Sequence, residues 1–268
     1  MKKLLLFLLL ISSFANAQEE LGLNKYAQKW AVACSVYPLP RTFAAINLFI
    51  NSENNNGNWA KYDRCWVLGV GLASSALVDI VNGNTSAVAV NSPTFTAYQG
   101  YAGNGTSSYI NTGYNPTLVA VNFTLNSASF GIYARTVALQ NKYEFGGLSP
   151  DNFRNYLQVL YTTNQGQMAV NCSTGGSSFL NFTNSGTQTG FFVAIRTASN
   201  ALAVWKNGSS IASSAQASSA ISNAVFAIDN ADGGISTNQI SFADITSGGV
   251  GVANQNTSVH ILKNLLQW

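Results

Sequence analysis

The chain has 268 residues, enough for one large β-sandwich or barrel domain with a substantial core. Charged residues make up only 9% of it and hydrophobic residues 47%, so Ser, Thr, Asn, Gln and Gly must supply the polar surface. This composition suits an extracellular β protein and argues against a disordered or nucleic-acid-binding chain.

The N-terminus has the three parts of a secretory signal peptide. Lys2 and Lys3 precede an apolar run over 4–11, and Ala15-Asn16-Ala17 provides a small-residue cleavage site. The run is too short to span a bilayer, so we expect cleavage after Ala17 and a secreted or cell-surface protein with no transmembrane segment. Removal of 1–17 leaves a net charge of about +1, because two of the 13 basic residues are lost against 10 acidic ones.

Apolar periodicity predicts helices near both ends of the chain and strands between them. The predicted helices cover 23–34, 41–51 and 255–268, with a short helix or turn at 74–81 and a turn over 98–107. The predicted strands cover 62–71, 86–90, 94–97, 108–112, 119–125, 129–135, 153–162, 167–172, 190–197, 201–206, 209–213, 225–229 and 239–245. We therefore expect a helical segment, 18–57, packed on a sandwich, 58–268, that ends in a helix.

Two adjacent segments carry a family resemblance. The sequence FTAYQGYAGNGTSSYINTGYNP at 95–116, followed by NFTLNSASFGIY at 122–133, resembles a concanavalin A-like (LamG-like) lectin/glucanase domain of the type found in bacteriophage and prophage structural proteins. The resemblance extends to 58–64, 205–208 and 239–243. It implies a mainly β fold, a concanavalin A-like antiparallel β-sandwich or jelly roll with short N-terminal and C-terminal helices. Such domains bind glycans, hydrolyse them or build structure.

Tyrosines and asparagines in the first of these segments are candidates for glycan binding. Aromatic rings stack on the C–H faces of sugars, while amide groups meet the hydroxyls. Tyr101 and Tyr114 lie in predicted turns, with Asn104 and Asn111 nearby, so we expect a platform for a glycan or cell-surface polysaccharide. The alternative is that these tyrosines line a half-buried sheet. Trp205, directly before a predicted hairpin, is expected in the core.

Asp229, Asn230 and Asp232 form the cluster with the most metal-ligand character. Calcium takes carboxylate and amide oxygens on a flexible turn, and the resemblance implies calcium at the rim of the sandwich. Capping of a turn between two strands explains the same three residues. The sequence indicates no other cofactor.

The sequence offers little support for catalysis. A glycosidase needs two carboxylates that flank the scissile bond. The Glu-x-Asp-x-x-Glu pattern typical of the glucanase branch is absent from this sequence. Of the isolated acidic residues, only Glu144 lies in a strand-like context. His260 is the one histidine and lies on the C-terminal helix. We therefore expect a secreted non-enzymatic carbohydrate-binding module. The alternatives are a structural or assembly subunit of an extracellular or virion-associated structure, which would bind copies of itself or other proteins, and a glycoside hydrolase.

Three cysteines, Cys34, Cys65 and Cys172, allow at most one disulfide. Cys34 and Cys65 are the nearer pair in sequence. Three buried thiols are the other expectation.

Overall fold

The computed structural model describes residues 22–150, 152–173, 178–231 and 233–268. Within these ranges the chain is a sandwich of two antiparallel sheets with a few helices, one of them C-terminal, so the predicted fold class is confirmed. The predicted signal peptide, 1–17, lies outside the described residues. The helices that are described are too short or too polar to cross a membrane.

The described residues form five α-helices and fifteen strands. The helices are α1 (Lys25–Ala33), α2 (Pro40–Asn55), α3 (Ala73–Ala76), α4 (Pro116–Val119) and α5 (Val252–Leu266). The strands are β1 (Tyr62–Trp66), β2 (Val88–Val90), β3 (Thr94–Thr96), β4 (Gly100–Ala102), β5 (Tyr109–Asn111), β6 (Ala128–Ala134), β7 (Phe145–Leu148), β8 (Phe153–Thr162), β9 (Gln165–Ser173), β10 (Leu180–Thr183), β11 (Gly190–Ala198), β12 (Ala201–Lys206), β13 (Ser209–Ser214), β14 (Ala227–Ile228) and β15 (Gln239–Thr246).

The strands form two sheets. One has the order β13-β12-β11-β6-β15-β4-β3, with β1 also paired to β15, and the other has the order β10-β9-β8-β7-β14-β5-β2. We call them the eight-stranded and the seven-stranded sheet, counting described residues only. Non-consecutive neighbours such as β6 and β15 show that the chain crosses repeatedly between the sheets.

The space between the sheets is filled by aromatic rings. Phe130 on β6 and Phe145 on β7 meet edge to face at 5.7 Å, and Phe226 lies 5.3 Å from Phe130 and 5.5 Å from Phe145. All three are fully buried. Edge-to-face pairs contribute beyond the area they bury, so this cluster holds the two sheets together.

The outer face of the eight-stranded sheet is covered by helices. Phe49 of α2 packs edge to face on Phe242 of β15 at 5.6 Å, and Phe242 packs on Phe191 of β11 at 5.8 Å. The hydroxyls of Ser52 and Ser258 lie 2.8 Å apart and join α2 to α5. The molecule thus has three layers, namely helices, the eight-stranded sheet and the seven-stranded sheet.

Local sequence signals explain how the N-terminal helices begin. The side chain of Asn24 accepts a hydrogen bond from the Tyr26 N–H and caps α1, while its own amide group donates to Asn51 of α2. Pro40 occupies the first turn of α2, where its missing N–H costs nothing. One asparagine therefore both starts α1 and ties it to α2.

The strand predicted over 119–125 is wrong. The carboxylate of Asp63, on β1, accepts hydrogen bonds from the backbone N–H groups of Val121, Asn122 and Phe123 at 3.1, 2.7 and 3.2 Å. It also accepts one from the Tyr114 hydroxyl at 2.8 Å. These N–H groups bond to a side chain instead of a neighbouring strand, so the segment forms a loop.

The turn predicted over 98–107 is also partly wrong, because Gly100–Ala102 pairs with both β3 and β15 as strand β4. Strands β7 and β10 had no prediction. In β7 the sequence Phe145-Gly146-Gly147-Leu148 has no side-chain alternation that would indicate a strand.

The three cysteines are free and buried, so the pairing of Cys34 with Cys65 is not formed. Cys172 accepts a hydrogen bond from the buried Arg196 at 3.3 Å. Burial raises the pKa of the Cys65 thiol well above its usual value, which keeps it neutral and unreactive.

The Asp63 bonds yield a stability prediction. Asp63→Ala leaves the Tyr114 hydroxyl and three backbone N–H groups without their acceptor. The Tyr114 hydroxyl and the Phe123 N–H are buried, and each buried donor without an acceptor costs ~1–3 kcal/mol, so we expect a loss of at least about 2 kcal/mol in urea unfolding. Asp63→Asn keeps one acceptor oxygen and should lose less. Leu118→Ala, at an exposed position of the same loop, should stay within about 0.5 kcal/mol. An Asp63→Ala loss below about 1 kcal/mol would contradict this role.

Candidate functional site

Both tyrosines predicted to project from turns are buried, so the predicted platform is wrong in its rings. Tyr101 is 3% exposed, packs on Phe95 at 4.9 Å and donates its hydroxyl proton to the Ala73 carbonyl. Burial raises its pKa to about 12. Tyr114 is fully buried and donates to Asp63. Neither ring has a free face on which a sugar could stack.

The two predicted asparagines cap turns. The Asn104 side-chain oxygen accepts the backbone N–H groups of Thr106, Ser107 and Ser108 at 2.8–3.0 Å. That of Asn111 accepts the Gly113 N–H at 2.9 Å. Asn104 is exposed and Asn111 half-buried, but their acceptor oxygens already have local partners.

The predicted metal cluster is only partly described, because Asp232 lies outside the described residues. Asp229 is fully buried and accepts the Gly103 N–H at 3.0 Å, while its Oδ1 and the Oδ1 of Asn230 have no hydrogen-bond partner among the described residues. Burial and the nearby Glu144 raise the pKa of Asp229 well above its usual value. Across the described ranges, no three His, Cys, Asp or Glu side chains are grouped to hold a metal ion. Calcium at this turn stays a prediction.

Every carboxyl side chain that the structure describes is buried. Glu144 is 1% exposed, and its oxygens accept from the Val159 N–H, the Ser236 hydroxyl and the Asn238 amide. The others are Glu53, Asp63, Asp79, Asp229 and Asp244. Each holds internal structure, and none lines an open cavity. His260 is half-buried. Its pKa is lowered mainly by desolvation and to a smaller extent by the positive charge of Lys263.

A groove with an aromatic floor lies on the outer face of the eight-stranded sheet. In β12 the side chains of Leu202 and Val204 point inward, so Ala203 and Trp205 point outward. Asn207 and Gly208 both have positive φ and form the tight hairpin that returns β13 alongside, placing Ser210 opposite Trp205. We call this the Trp205 groove, with a volume of about 410 Å³.

The walls of the Trp205 groove are polar. They carry the exposed side chains of Thr197, Ser210 and Asn254. The first turn of α5 forms one wall, and its N-cap Gly251 has no side-chain hydrogen bond and no acidic residue beside it. A helix N-terminus without a cap presents N–H donors and positive potential. The groove therefore combines an aromatic floor with hydroxyl, amide and backbone donors.

A second cavity continues the Trp205 groove along the sheet. It has a volume of about 390 Å³ and shares Thr197 and Ala203 with the first. Asn200, Ser213 and Ser214 line its far end. The two together form a trough across β11, β12 and β13, longer than one sugar ring requires.

Sequence reasoning missed this site, because it placed Trp205 in the core. The ring is half-buried and packs against the core with one side. The signal was present in the alternation of β12, where Trp205 shares a face with alanines and is out of phase with Leu202 and Val204. That face is left open because α5 covers only part of the sheet.

No protein-family model matches the chain, and no curated protein does. Solved structures do match in fold. One is domain 4 of a GH43 extracellular arabinanase from Geobacillus stearothermophilus, in complex with arabinotriose. It is 15% identical to this chain, with a TM-score of 0.50, and the match covers 74% of this chain and 98% of that one.

Two botulinum neurotoxin structures match over a similar share of the chain. One is the serotype D binding domain, 11% identical with a TM-score of 0.51 over 76% of this chain and 52% of that one. The other is neurotoxin type C, whose cell entry depends upon interaction with two ganglioside molecules. It is 10% identical to this chain, with a TM-score of 0.54, and the match covers 80% of this chain and 53% of that one. The chain thus spans about half the length of these toxin structures. At these identities the likeness is one of fold alone, and the LamG-like, phage-type resemblance stays a prediction.

The buried acids yield a pH prediction. Burial raises the pKa of Glu144 from 4.5 to about 7, so between these values the folded protein binds more protons than the unfolded chain. The contribution of the protonated Glu144 to the free energy of unfolding is complete below pH 4.5 and is lost as the pH rises to about 7. Glu53, Asp79, Asp229 and Asp244 shift in the same direction. We expect a higher melting temperature at pH 5 than at pH 8.

Glu144→Gln, which resembles the protonated acid, should reduce this difference. Gln165→Glu, which places a carboxyl group at an exposed position, should leave it unchanged. A melting temperature that rises from pH 5 to pH 8 would show that the buried carboxyl groups are ionised in the folded protein.

Proposed function

We propose that the chain is a secreted, non-enzymatic carbohydrate-binding module that holds a glycan in the Trp205 groove. The observation that carries this proposal is the partly exposed Trp205 ring at the floor of a groove walled by Thr197, Ser210 and Asn254. Indole faces stack on sugar C–H groups, and the polar walls meet hydroxyls. The groove and the adjoining cavity suit a short stretch of a glycan chain.

The binding domains among the matching structures support the proposal without assigning a sugar. The arabinanase domain is bound to arabinotriose, and the type C toxin interacts with gangliosides. Both are β-sandwich proteins that differ from this chain in most of their residues. The glycan that this chain binds must therefore be found by experiment.

The non-enzymatic part of the proposal rests on the carboxyl groups. Glycoside hydrolysis needs an acid and a second carboxylate that both face the substrate. The six described carboxyl groups face the interior and are engaged there. None of the described residues that line the Trp205 groove carries a carboxyl group.

A structural or assembly role is the second candidate, supported by an apolar loop. Leu118 and Val121 are 76% and 81% exposed, and Val119 between them is 39% exposed. Contiguous apolar patches on a protein surface often mark sites of contact with another protein. This loop is a candidate contact with a second protein.

Trp205→Ala tests the groove. A glycan array with the mature chain identifies the ligand, and the variant should bind it at least about tenfold more weakly, since ~1.4 kcal/mol of stacking is lost. Because the ring is half-buried, the variant should lose less stability than the ~3–5 kcal/mol typical of a fully buried aromatic residue. Calorimetric titration and thermal unfolding measure the two effects.

Trp205→Phe keeps a ring and should retain part of the affinity. Tyr37→Ala removes a ring that is 66% exposed elsewhere and should leave binding unchanged. No binding to any glycan, together with oligomers that dissociate in the double variant Leu118→Ser and Val121→Ser, would replace the proposal with the assembly role.

Export is a separate proposal, based on 1–17. Protein secreted from a Gram-negative host should begin at Gln18 when its N-terminus is sequenced, because a signal peptidase cuts after the small residue Ala17. Retention of Met1 in the membrane fraction would contradict it.

A further inference from the structure

A second cavity lies at the other end of α5 from the Trp205 groove. It has a volume of about 300 Å³ and lies between the last turn of α5 and the outer face of the eight-stranded sheet. Tyr133, Arg135, Thr189, Lys263 and Trp268 line it. We call it the Lys263 pocket. Its lining contains two cations, two aromatic rings and a hydroxyl, and no carboxyl side chain.

The guanidinium of Arg135 is held in a fixed orientation. Its Nη1 donates to the side-chain oxygens of Gln99 and Gln239 at 2.8 and 3.0 Å, both neutral acceptors. Its Nε is buried without a hydrogen-bond partner, and Nη2 makes no hydrogen bond within the described part of the chain. Because Nε is buried and Nη1 is engaged, Nη2 is the group of Arg135 that is left for a ligand, and its hydrogen bond to an anion would be charge-assisted.

Lys263 places a second positive charge at the rim. Its Nζ lies 5.6 Å from the centre of the Tyr133 ring and forms no ion pair with a described carboxyl group. The indole of Trp268 is fixed, because its N–H donates to the Gly69 carbonyl at 2.8 Å and its ring meets Tyr133 at 5.7 Å. Trp268 is half-buried, so part of its ring surface faces outward.

The distribution of charge over the molecule favours an anionic ligand as well. The acidic side chains that the structure describes are all buried, whereas of the described basic ones only Arg196 is fully buried. The potential at the described surface is therefore set by cations. An approaching anion meets attraction at the described surface, on which no carboxylate is exposed.

We propose that the Lys263 pocket binds a carboxylated sugar, such as a uronic acid residue. Arg135 and Lys263 bind the carboxylate, Thr189 meets a ring hydroxyl, and the sugar ring lies against Trp268. The Nη2 group of a guanidinium forms a charge-assisted hydrogen bond with a carboxylate oxygen, and an indole face stacks on the apolar face of a sugar. The pocket is distinct from the Trp205 groove and does not depend on it.

D-glucuronate and D-glucose are the matched probes, because they differ only in the carboxylate. Titrated into the mature chain in low-salt buffer and followed by NMR, D-glucuronate should bind at least about tenfold more tightly than D-glucose, as expected for charge-assisted hydrogen bonds. Its affinity should fall as salt is added. Lys263→Ala and Arg135→Gln should each weaken D-glucuronate binding by about tenfold or more, and Arg135→Lys should retain part of it.

Lys29→Ala, at an exposed position on α1, should leave D-glucuronate binding unchanged. Lys263→Ala removes no hydrogen bond of the described residues, so it remains informative if Arg135→Gln fails to fold. Equal binding of D-glucuronate and D-glucose, no binding of D-glucuronate, or unchanged D-glucuronate binding in folded Lys263→Ala would overturn the proposal.

Discussion

The fold depends on a set of buried carboxyl groups. These groups accept hydrogen bonds from backbone and side-chain donors that have no partner in a neighbouring strand. Asp63 holds the loop 114–123 to β1 through four hydrogen bonds. Asp79 likewise joins its own turn to β1. It accepts hydrogen bonds from the N–H groups of Cys65, on β1, and Val81 at 3.1 and 3.0 Å. A sandwich with long connections must satisfy the polar groups of those connections, and a carboxylate can accept several donors at once.

The same constraint joins the helices to the sheet. Beneath α5, the Gln255 amide donates to Asp244 of β15 at 2.7 Å and to the Tyr62 hydroxyl at 3.1 Å. Tyr62 in turn donates to Glu53 of α2 at 2.7 Å. Burial raises the pKa of both carboxyl groups, Glu53 and Asp244, which favours their protonated forms in the folded protein. Its cohesion is tied to pH for that reason.

Placing the acids inside also shapes the outer surface. With these carboxyl groups used internally, the surface of the described residues consists of neutral polar groups, cations and a few apolar side chains. The two cavities at the ends of α5 reflect this. The Trp205 groove has neutral hydroxyl and amide walls, and the Lys263 pocket has two cations. Both lie where one helix is too short to cover the sheet on which it packs.

The sequence by itself determined the class of the fold. Period-two patterns in β8, β9, β11, β12 and β15, the Asn207-Gly208 hairpin and the helical patterns at both ends are local features, and the structure contains them. Local patterns predict these elements because the apolar and polar residues of one strand or helix alternate with the period of that element. They failed over 119–125, where the acceptor is 58–60 residues away.

Only the tertiary structure decided which side chains are available to a ligand. Tyr101 and Tyr114 lie in Gly-rich and Asn-rich sequence typical of exposed turns, but Ala73 and Asp63 bind their hydroxyls in the interior. Trp205 lies in a strand, yet part of it is open because α5 leaves that part of the sheet uncovered. Lys263 and Arg135 are 128 positions apart in the chain and meet because α5 ends above β6. Exposure is set by which element packs on which, and that depends on contacts between residues far apart in the chain.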